Sequence, residues 1–413
     1  MSKSALDFIV PKTNATRGRY KPGNKPSFGH FVEDFLNDHV DIEGDFQEFM
    51  SLRNGYFDYT FTSHHLKFLV TRLIPEVLIH SKSQDERIIR GHYDRGNDFF
   101  ASFLGPRMVY TSGFFLDPKT ESLELAQDRK MMMVCNKLMM QKGDRHLDIG
   151  CGWGTLIAYA AKYYGTEGTG VTIAQEGTDW GNKQIKEFGV ESTAKIIRKD
   201  YRDIPKGEKW KRISCLEMGE HVGIRKFKGF IKMIYNMLDD DGMFYIQQAG
   251  LRANPGIFNK GQHWQDLVWG MFMGEYIFSG ADASTPLAFL VESLQEANFE
   301  VAHLENIGVH YSHTIQKWYY NWMRNEEYVM EHYGKRWFRL WQLFLRWSVE
   351  IGAKGGSTCW SITAHKNLDS TDRNKYINDL NTGLRMDLTN PKPFDRTYDG
   401  VWAQLYGMAP KQA

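Results

Sequence analysis

His146-Leu-Asp148-Ile-Gly150-Cys-Gly152-Trp-Gly154-Thr-Leu is the stretch of this 413-residue chain that decides its fold. A short β-like run, His146 to Ile149, leads into three alternate glycines and then into a helix-length apolar segment. Glycines at such a turn let the backbone approach a ligand closely, and the free N–H groups of the following helix point at it. The spacing is Gly-x-Gly-x-Gly, not the Gly-x-Gly-x-x-Gly of dinucleotide sites, and Asp148 precedes the first glycine. A carboxylate there repels a pyrophosphate and suits a cation such as the amino group or sulfonium of S-adenosylmethionine. Taken alone, the turn fits a plain structural bend as well.

Working outward, the hydrophobic pattern alternates between strands and helices. β-like runs fall at Gly168 to Ile173, Ala194 to Ile197, Ile213 to Leu216 and Met243 to Gln247, with helix-length stretches between them. That rhythm predicts a parallel sheet with helices on both faces. Val291 to Glu305 adds a helix and a strand, and Thr358 to His365 reads as a last strand. Asp200-Tyr201 closes the third strand, where a carboxylate and an aromatic can bond to and stack on an adenine, or can equally be a solvated turn acid and a packing ring. Upstream, Thr120 to Met140 reads as a long helix whose methionines are core filler. Aromatic-rich segments at Gly250 to Pro286 and Tyr311 to Glu350 are expected to be helical and to form a lid or acceptor pocket. Trp264, Trp269, Trp318, Trp322 and Trp360 read as core residues.

Residues 1–30, rich in proline, glycine and basic residues, read as a flexible arm. Apolar residues at helical spacing from Phe31 (Phe31, Val32, Phe35, Leu36) predict a small helical segment over 31–90. The most lipid-like stretch, Leu66 to Ile79, is broken by Lys67, Arg72, Pro75 and Glu76, and reads as a packed helix or a membrane-surface contact. No run reaches the ~18 apolar residues of a spanning helix, and Met1 to Lys21 lacks the apolar core of a secretory signal. Lys+Arg (51) and Asp+Glu (50) nearly cancel, so whole-chain charge gives no reason to expect a nucleic-acid partner. The four cysteines are scattered, with no metal-ligand spacing, which points to a reducing compartment and no metal.

Further blocks make the sequence recognisable. They are His92-Tyr-Asp-Arg-Gly-Asn-Asp-Phe99, Tyr110-Thr-Ser112, Leu147 to Gly154, Gly170-Val-Thr-Ile173, Asp200-Tyr-Arg-Asp203, Glu217-Met-Gly-Glu-His-Val-Gly223, Glu275-Tyr-Ile-Phe278 and Tyr311 to Tyr319. In this order and spacing the chain resembles the cyclopropane-fatty-acid synthase family of methyltransferases, over about Gly91 to Lys366. Its closest look is to fungal sphingolipid carbon-9 methyltransferases, through Pro75-Glu-Val, Ser83-Gln-Asp85, Gly105-Pro-Arg-Met108 and Gly280 to Pro286. It is also similar to plant alkaloid N-methyltransferases through Glu-x-x-Glu-His. The resemblance implies S-adenosylmethionine contacts from Tyr110, Thr111, Gly150, Gly152, Thr172, Ile173, Asp200 and Tyr201, to which the charge argument adds Asp148. It implies that Glu217, Glu220, His221 and Tyr311 face the acceptor as catalytic residues. Ring-forming relatives commonly carry Tyr-Ser-Cys at Tyr110-Thr-Ser112 and His at Gln247, both in a bicarbonate site, so simple methylation is favoured over ring closure. A Gln common in the family is replaced by Gly177. The fungal enzymes carry membrane-spanning helices near the N-terminus that have no counterpart in this sequence.

The expected fold is α/β: a Rossmann-like class I S-adenosylmethionine-dependent methyltransferase sheet over 91–368, with an N-terminal helical layer, a helical lid after the fifth strand (about 251–350) and a C-terminal extension, 369–413. The expected acceptor is a lipid-chain alkene of sphingolipid or fatty-acyl type. A small soluble thioether or amine, or a non-catalytic S-adenosylmethionine-binding role, are the alternatives. The expected setting is cytoplasmic, soluble or peripherally membrane-associated; membrane contact and a homodimer stay open.

Overall fold

Alternation of strand and helix is resolved into one seven-stranded sheet in a computed structural model that describes residues 3–73, 95–251, 264–278, 285–376, 388–394 and 400–407. A small two-stranded antiparallel sheet pairs β1 (Ile9–Pro11) with β2 (Val40–Ile42). The main strands are β3 (Arg145–Ile149), β4 (Glu167–Thr172), β5 (Ala194–Arg198), β6 (Trp210–Leu216), β7 (Leu238–Leu251), β8 (Phe299–Asn306) and β9 (Ser357–Lys366). Their order is β5-β4-β3-β6-β7-β9-β8. β3 to β7 pair in parallel, whereas β9 runs antiparallel between β7 and β8. All seven strand positions expected from the sequence are present. Leu147, Ile149, Ile213, Cys215, Phe244 and Ile246 are buried on one side of the sheet, as strands covered on both faces require.

The predicted long helix spans Leu123–Lys137, with Ser122 capping its first turn by accepting from the Leu125 N–H at 3.1 Å. Met131, Met132 and Met133 are buried filler, as expected. The lid follows β7 with a helix, Trp264–Phe272, that runs into a π-helical turn, Met273–Ile277, and continues after β8 with helices Gly308–Arg324, Glu326–Tyr333 and Lys335–Ala353. Trp269, Trp318 and Trp322 are core residues, but Trp264 is 60% exposed: it opens its helix on the outer side, where the exposed Phe61 ring meets it edge-on.

Residues 3–30 are not a loose arm. Ser4 and Asp7 form a capping box on a turn at Ala5–Phe8, Pro11 ends an edge strand where its missing N–H costs nothing, and Phe8, Tyr20 and Phe28 are buried. Proline and glycine mark turns here, and the aromatics between them supply the contacts that composition alone does not reveal. Helices Phe28–Leu36, Phe46–Tyr56 and Ser63–Phe68 complete this layer. It packs on the lid as one core: the Phe28 ring meets Trp347 edge-on at 4.8 Å, and Arg339 donates to the carbonyls of Phe35 and Val40. The described parts of the C-terminal extension also pack inward. Leu388 and Phe394 are buried, the Leu388 carbonyl accepts from Arg129 at 2.7 Å, and Leu405 and Tyr406 join the lid core. Pro75 to Val77, Ser83 to Asp85, His92 to Asp94 and Gly280 to Ser284 lie outside the described residues, as does the expected boundary at 90/91.

Candidate active site

Four adjacent parallel strands, β3 to β6, end at one rim, and the residues that follow each of them line a single cleft. From β3 come Gly150, Gly152 and Trp153; from β4, Thr172, Ile173, Ala174, Glu176 and Gly177; from β5, Lys199, Asp200, Tyr201 and Arg202; from β6, Glu217, Met218 and His221. The strand order reverses direction between β3 and β6, the place where open α/β sheets bind ligands.

The glycine turn is shaped by close approaches. Gly150 has φ +78°, and a Cβ there would meet Met218 Cγ at 2.5 Å. A Cβ on Gly152 would meet nothing within 4 Å, so this glycine opens onto the cleft. Gly177 lies so near the turn that its Cβ would come within 2.6 Å of the Gly152 carbonyl, which explains why a Gln cannot sit at this position in this chain. The neighbouring Glu176 lines the cleft instead, and sequence reading passed over it. Asn97 ties the cover to the floor: its side chain accepts from Trp153 Nε1 at 2.6 Å and donates to Glu176 Oε2 at 3.2 Å.

Asp148 is not on the cleft lining. It is buried behind the turn, where Ser214 Oγ donates to Oδ1 at 2.6 Å, and burial pushes its carboxyl up to about 6. His146 Nε2 bonds the same serine at 2.8 Å; burial holds this imidazole neutral, and because the Ser214 hydroxyl gives its hydrogen to Asp148, Nε2–H is the donor. Asp200 caps the turn after β5 and holds Arg202 through both oxygens, at 2.8 and 2.6 Å. Tyr201 stands edge-on to Phe230 at 5.2 Å.

A second, buried polar group adjoins the cleft through Glu217. This residue adopts φ +57°, an uncommon conformation for a non-glycine residue, which turns the chain sharply at the end of β6. Its Oε1 accepts from Gln247 Nε2 and its Oε2 from the Tyr311 hydroxyl; the Ser112 backbone bonds it as well, and Cys359 Sγ stands at 3.9 Å. Of the two departures from the ring-forming pattern, the Gln247 side chain serves the chain's own carboxylate, whereas Ser112 reaches it through its backbone alone and turns its hydroxyl to the Gly113 carbonyl. Burial raises the Glu217 pKa, against the Gln247 bond and the positive charge of Lys130. Glu220 accepts from the Ala249 N–H at 2.5 Å and leaves Oε2 buried without a hydrogen-bond partner. Burial, and then the charge of Glu217, raise its pKa, so this carboxyl holds its proton more tightly than a free one.

Lys130 escaped sequence reading because it sits in a methionine-rich helix that reads as filler. It is 2% exposed, donates to Thr111 Oγ1 at 2.6 Å, and is lowered by burial while Glu217 and Asp148 oppose the shift. Thr111 also accepts from Gln127 through its carbonyl. Tyr110 packs among Phe100, Phe103, Phe278 and Trp318 under the lid. Of the thirteen residues singled out in the sequence, the cleft thus gathers Gly150, Gly152, Thr172, Ile173, Asp200, Tyr201, Glu217 and His221. Tyr311 and Glu220 adjoin it through Glu217, and Tyr110, Thr111 and Asp148 are not part of its lining. Among the described residues, no group of three or more His, Cys, Asp or Glu side chains could hold a metal ion.

A profile of the mycolic acid cyclopropane synthetase family matches residues 80–362. Sphingolipid C9-methyltransferase 2 of Gibberella zeae is 47% identical over 369 residues, covering 89% of this chain and 70% of that protein. Sphingolipid C9-methyltransferase of Komagataella phaffii is 46% identical over 368 residues, covering 87% of this chain and 74% of that one. Among solved structures, mycolic acid cyclopropane synthase CmaA1 complexed with SAH and CTAB superposes with a TM-score of 0.65 at 21% identity, covering 68% of this chain and 98% of that one. Coclaurine N-methyltransferase, bound to N-methylheliamine and SAH, superposes with a TM-score of 0.63 at 14% identity, covering 82% and 99%.

Proposed function

The chain belongs to the mycolic acid cyclopropane synthetase family and is an S-adenosylmethionine-dependent methyltransferase; from that premise we propose that it methylates a double bond in the chain of a sphingolipid-type lipid and stops at the methylated alkene. The acceptor class rests on the relatives named sphingolipid C9-methyltransferases. The observation that carries the mechanism is the Glu217 carboxylate, gripped by Gln247 and Tyr311 at the edge of the cleft.

The cleft fits the cofactor by its own features: an open glycine face at Gly152, a carboxylate at Glu176 for hydroxyl groups, Tyr201 for a stacked base, and the negative field of Asp148 for a cation. When bound, S-adenosylmethionine supplies an electrophilic methyl group on a sulfonium. An alkene held in line with that methyl group would gain a carbon–carbon bond as the carbon–sulfur bond broke, and the neighbouring alkene carbon would be left positive. Glu217 lowers the energy of that charge and then takes a proton. Loss of the proton from the methylated carbon restores the double bond, whereas loss from the new methyl group would close a ring. Glu217 needs no external base, because Ser112, Gln247 and Tyr311 already hold it in place. Glu220, carrying its proton, keeps a second negative charge away from the site. A lipid acceptor supports peripheral contact with a membrane. Among the described residues no helix is long and apolar enough to cross one.

The test is a labelled-methyl assay on a lipid extract and a soluble-metabolite extract side by side. Label is expected in a lipid that keeps its double bond. Label confined to soluble amines or thioethers, or a lipid product with cyclopropane proton resonances, overturns the reading.

A further inference from the structure

Large apolar side chains left in water are scattered over most of this surface, but four of them belong to two touching pieces of chain, the segment Phe61–Val70 and the start of the helix at Trp264. Trp264 is 60% exposed, Val70 64%, Leu66 55% and Phe61 39%. The Phe61 and Trp264 rings meet edge-on at 5.4 Å, and Leu66 and Val70, four residues apart on one helical stretch, form a single stripe. Lys25 lines the same groove as Phe61 and Trp264, and Lys67 and Arg72 are exposed on the helical stretch that carries Leu66 and Val70. Of the acids close by, Glu275 bonds His64 at 2.9 Å on the inner side, and Asp58, half-buried in the groove beside Phe61, accepts from its neighbour Thr60 at 2.7 Å.

We propose that Phe61, Leu66, Val70 and Trp264, ringed by Lys25, Lys67 and Arg72, form a face that docks on an anionic lipid bilayer. The inference rests on the lipid acceptor proposed above and adds the surface by which such an acceptor is reached. Three observations favour a bilayer over a second copy of the chain. A ring of like positive charges repels its own image but is attracted by anionic headgroups. Tryptophan beside short aliphatic side chains on a helix flank suits the headgroup boundary, where an apolar body and an N–H both find a partner. The face is also mechanically joined to the site. On its inner side His64 bonds Glu275, and Tyr276 bonds both Glu33 and His64, so the Ser63–Leu73 stretch is clamped to the π-helical turn of the lid. Phe278, directly after that turn, packs against Tyr110 at 5.9 Å. Seating on a bilayer thus places the lid segment next to the lipid that has to enter.

The test uses the full chain with phosphatidylcholine vesicles, with and without phosphatidylserine, in a sedimentation assay. The wild type is expected to bind the phosphatidylserine vesicles, less so as salt rises. The triple variant Leu66→Ser, Val70→Ser, Trp264→Ser is expected to lose roughly tenfold or more in partitioning. Lys67→Glu with Arg72→Glu is expected to abolish the preference for phosphatidylserine. Both variants should keep S-adenosylhomocysteine affinity and turnover on a detergent-dispersed acceptor, which separates lost docking from lost folding. Unchanged partitioning of the triple variant overturns the proposal, as does a wild type that ignores both kinds of vesicle. A concentration-dependent dimer that the triple variant abolishes, without vesicle binding, overturns it too. Vesicle binding that the variant loses, in an enzyme that methylates no lipid in either presentation, supports the docking face and overturns the acceptor assignment.

Discussion

The hydroxyl of Tyr311 donates to the Glu217 carboxylate across 94 residues of sequence, bringing the lid helix Gly308–Arg324 down onto the end of β6. In the proposed mechanism the base has to be placed before the transient cation forms, and this bond, with that of Gln247, would do the placing.

Replacing Glu217 by Gln keeps the shape and removes the base. Turnover is expected to fall by about 10²- to 10⁴-fold, with S-adenosylhomocysteine affinity in calorimetry retained. Glu217→Ala opens a carboxylate-sized space among Ser112, Gln247 and Tyr311, and added bicarbonate or formate should restore part of the activity. Failure of every small anion to do so, in a variant that still binds the cofactor product, would sink the view of this carboxylate as a built-in base.

The rate should climb as pH rises through the Glu217 pKa, because only the ionised carboxylate accepts a proton. Burial pushes that pKa up to about 7, so the acid limb lies near neutrality and not in the ordinary carboxylate range. Tyr311→Phe removes a bond to the charged form and Lys130→Met removes a nearby positive charge. Both changes raise the pKa further and should move the limb to higher pH. A kcat profile with an unmoved limb in both variants contradicts this assignment.

Asp148 offers a buried negative field without touching the cleft. Asp148→Asn is expected to weaken binding of S-adenosylmethionine more than that of S-adenosylhomocysteine, since only the former has a charged sulfur. In the wild type the same preference should fade as pH drops below about 6, where this carboxyl takes up its proton. Equal losses for both ligands in calorimetry would show that the charge plays no part.

Gly154 caps the helix behind the turn at φ +72°, and a Cβ there would fall 1.8 Å from Ile196 Cδ1. Gly154→Ala combines a left-handed alanine with an overpacked contact and should cost about 2–4 kcal/mol of stability in urea unfolding. A cost below about 0.5 kcal/mol, the level of an ordinary surface change, would mean that the contact relaxes freely.

Local signals carried most of the sheet. Strand residues such as Leu147 and Ile213 advertise themselves by apolar runs of fixed length, and the glycines after Ile149 mark a turn that only they can make. What escaped reading depends on partners distant in the chain. Lys130 looks like one more polar residue on a helix until Thr111 and Glu217 surround it. Glu176 reads as a helix-start acid until Asn97, 79 residues away, reaches it. The order of residues 3–30 depends on pairing with Val40–Ile42 and on aromatic contacts with the lid, neither of which leaves a periodic trace.

That shared aromatic core divides the labour of the molecule. Phe28 leans on Trp347, Trp347 on Phe272, and the turn beyond Phe272 leads to Phe278 beside Tyr110. Drift among the first sixty residues can therefore remould the packing under the lid while the strand ends around the cleft keep their own frame, and Trp153, which belongs to both the aromatic core and the cleft wall, is among the described residues the one place where the two must stay in step.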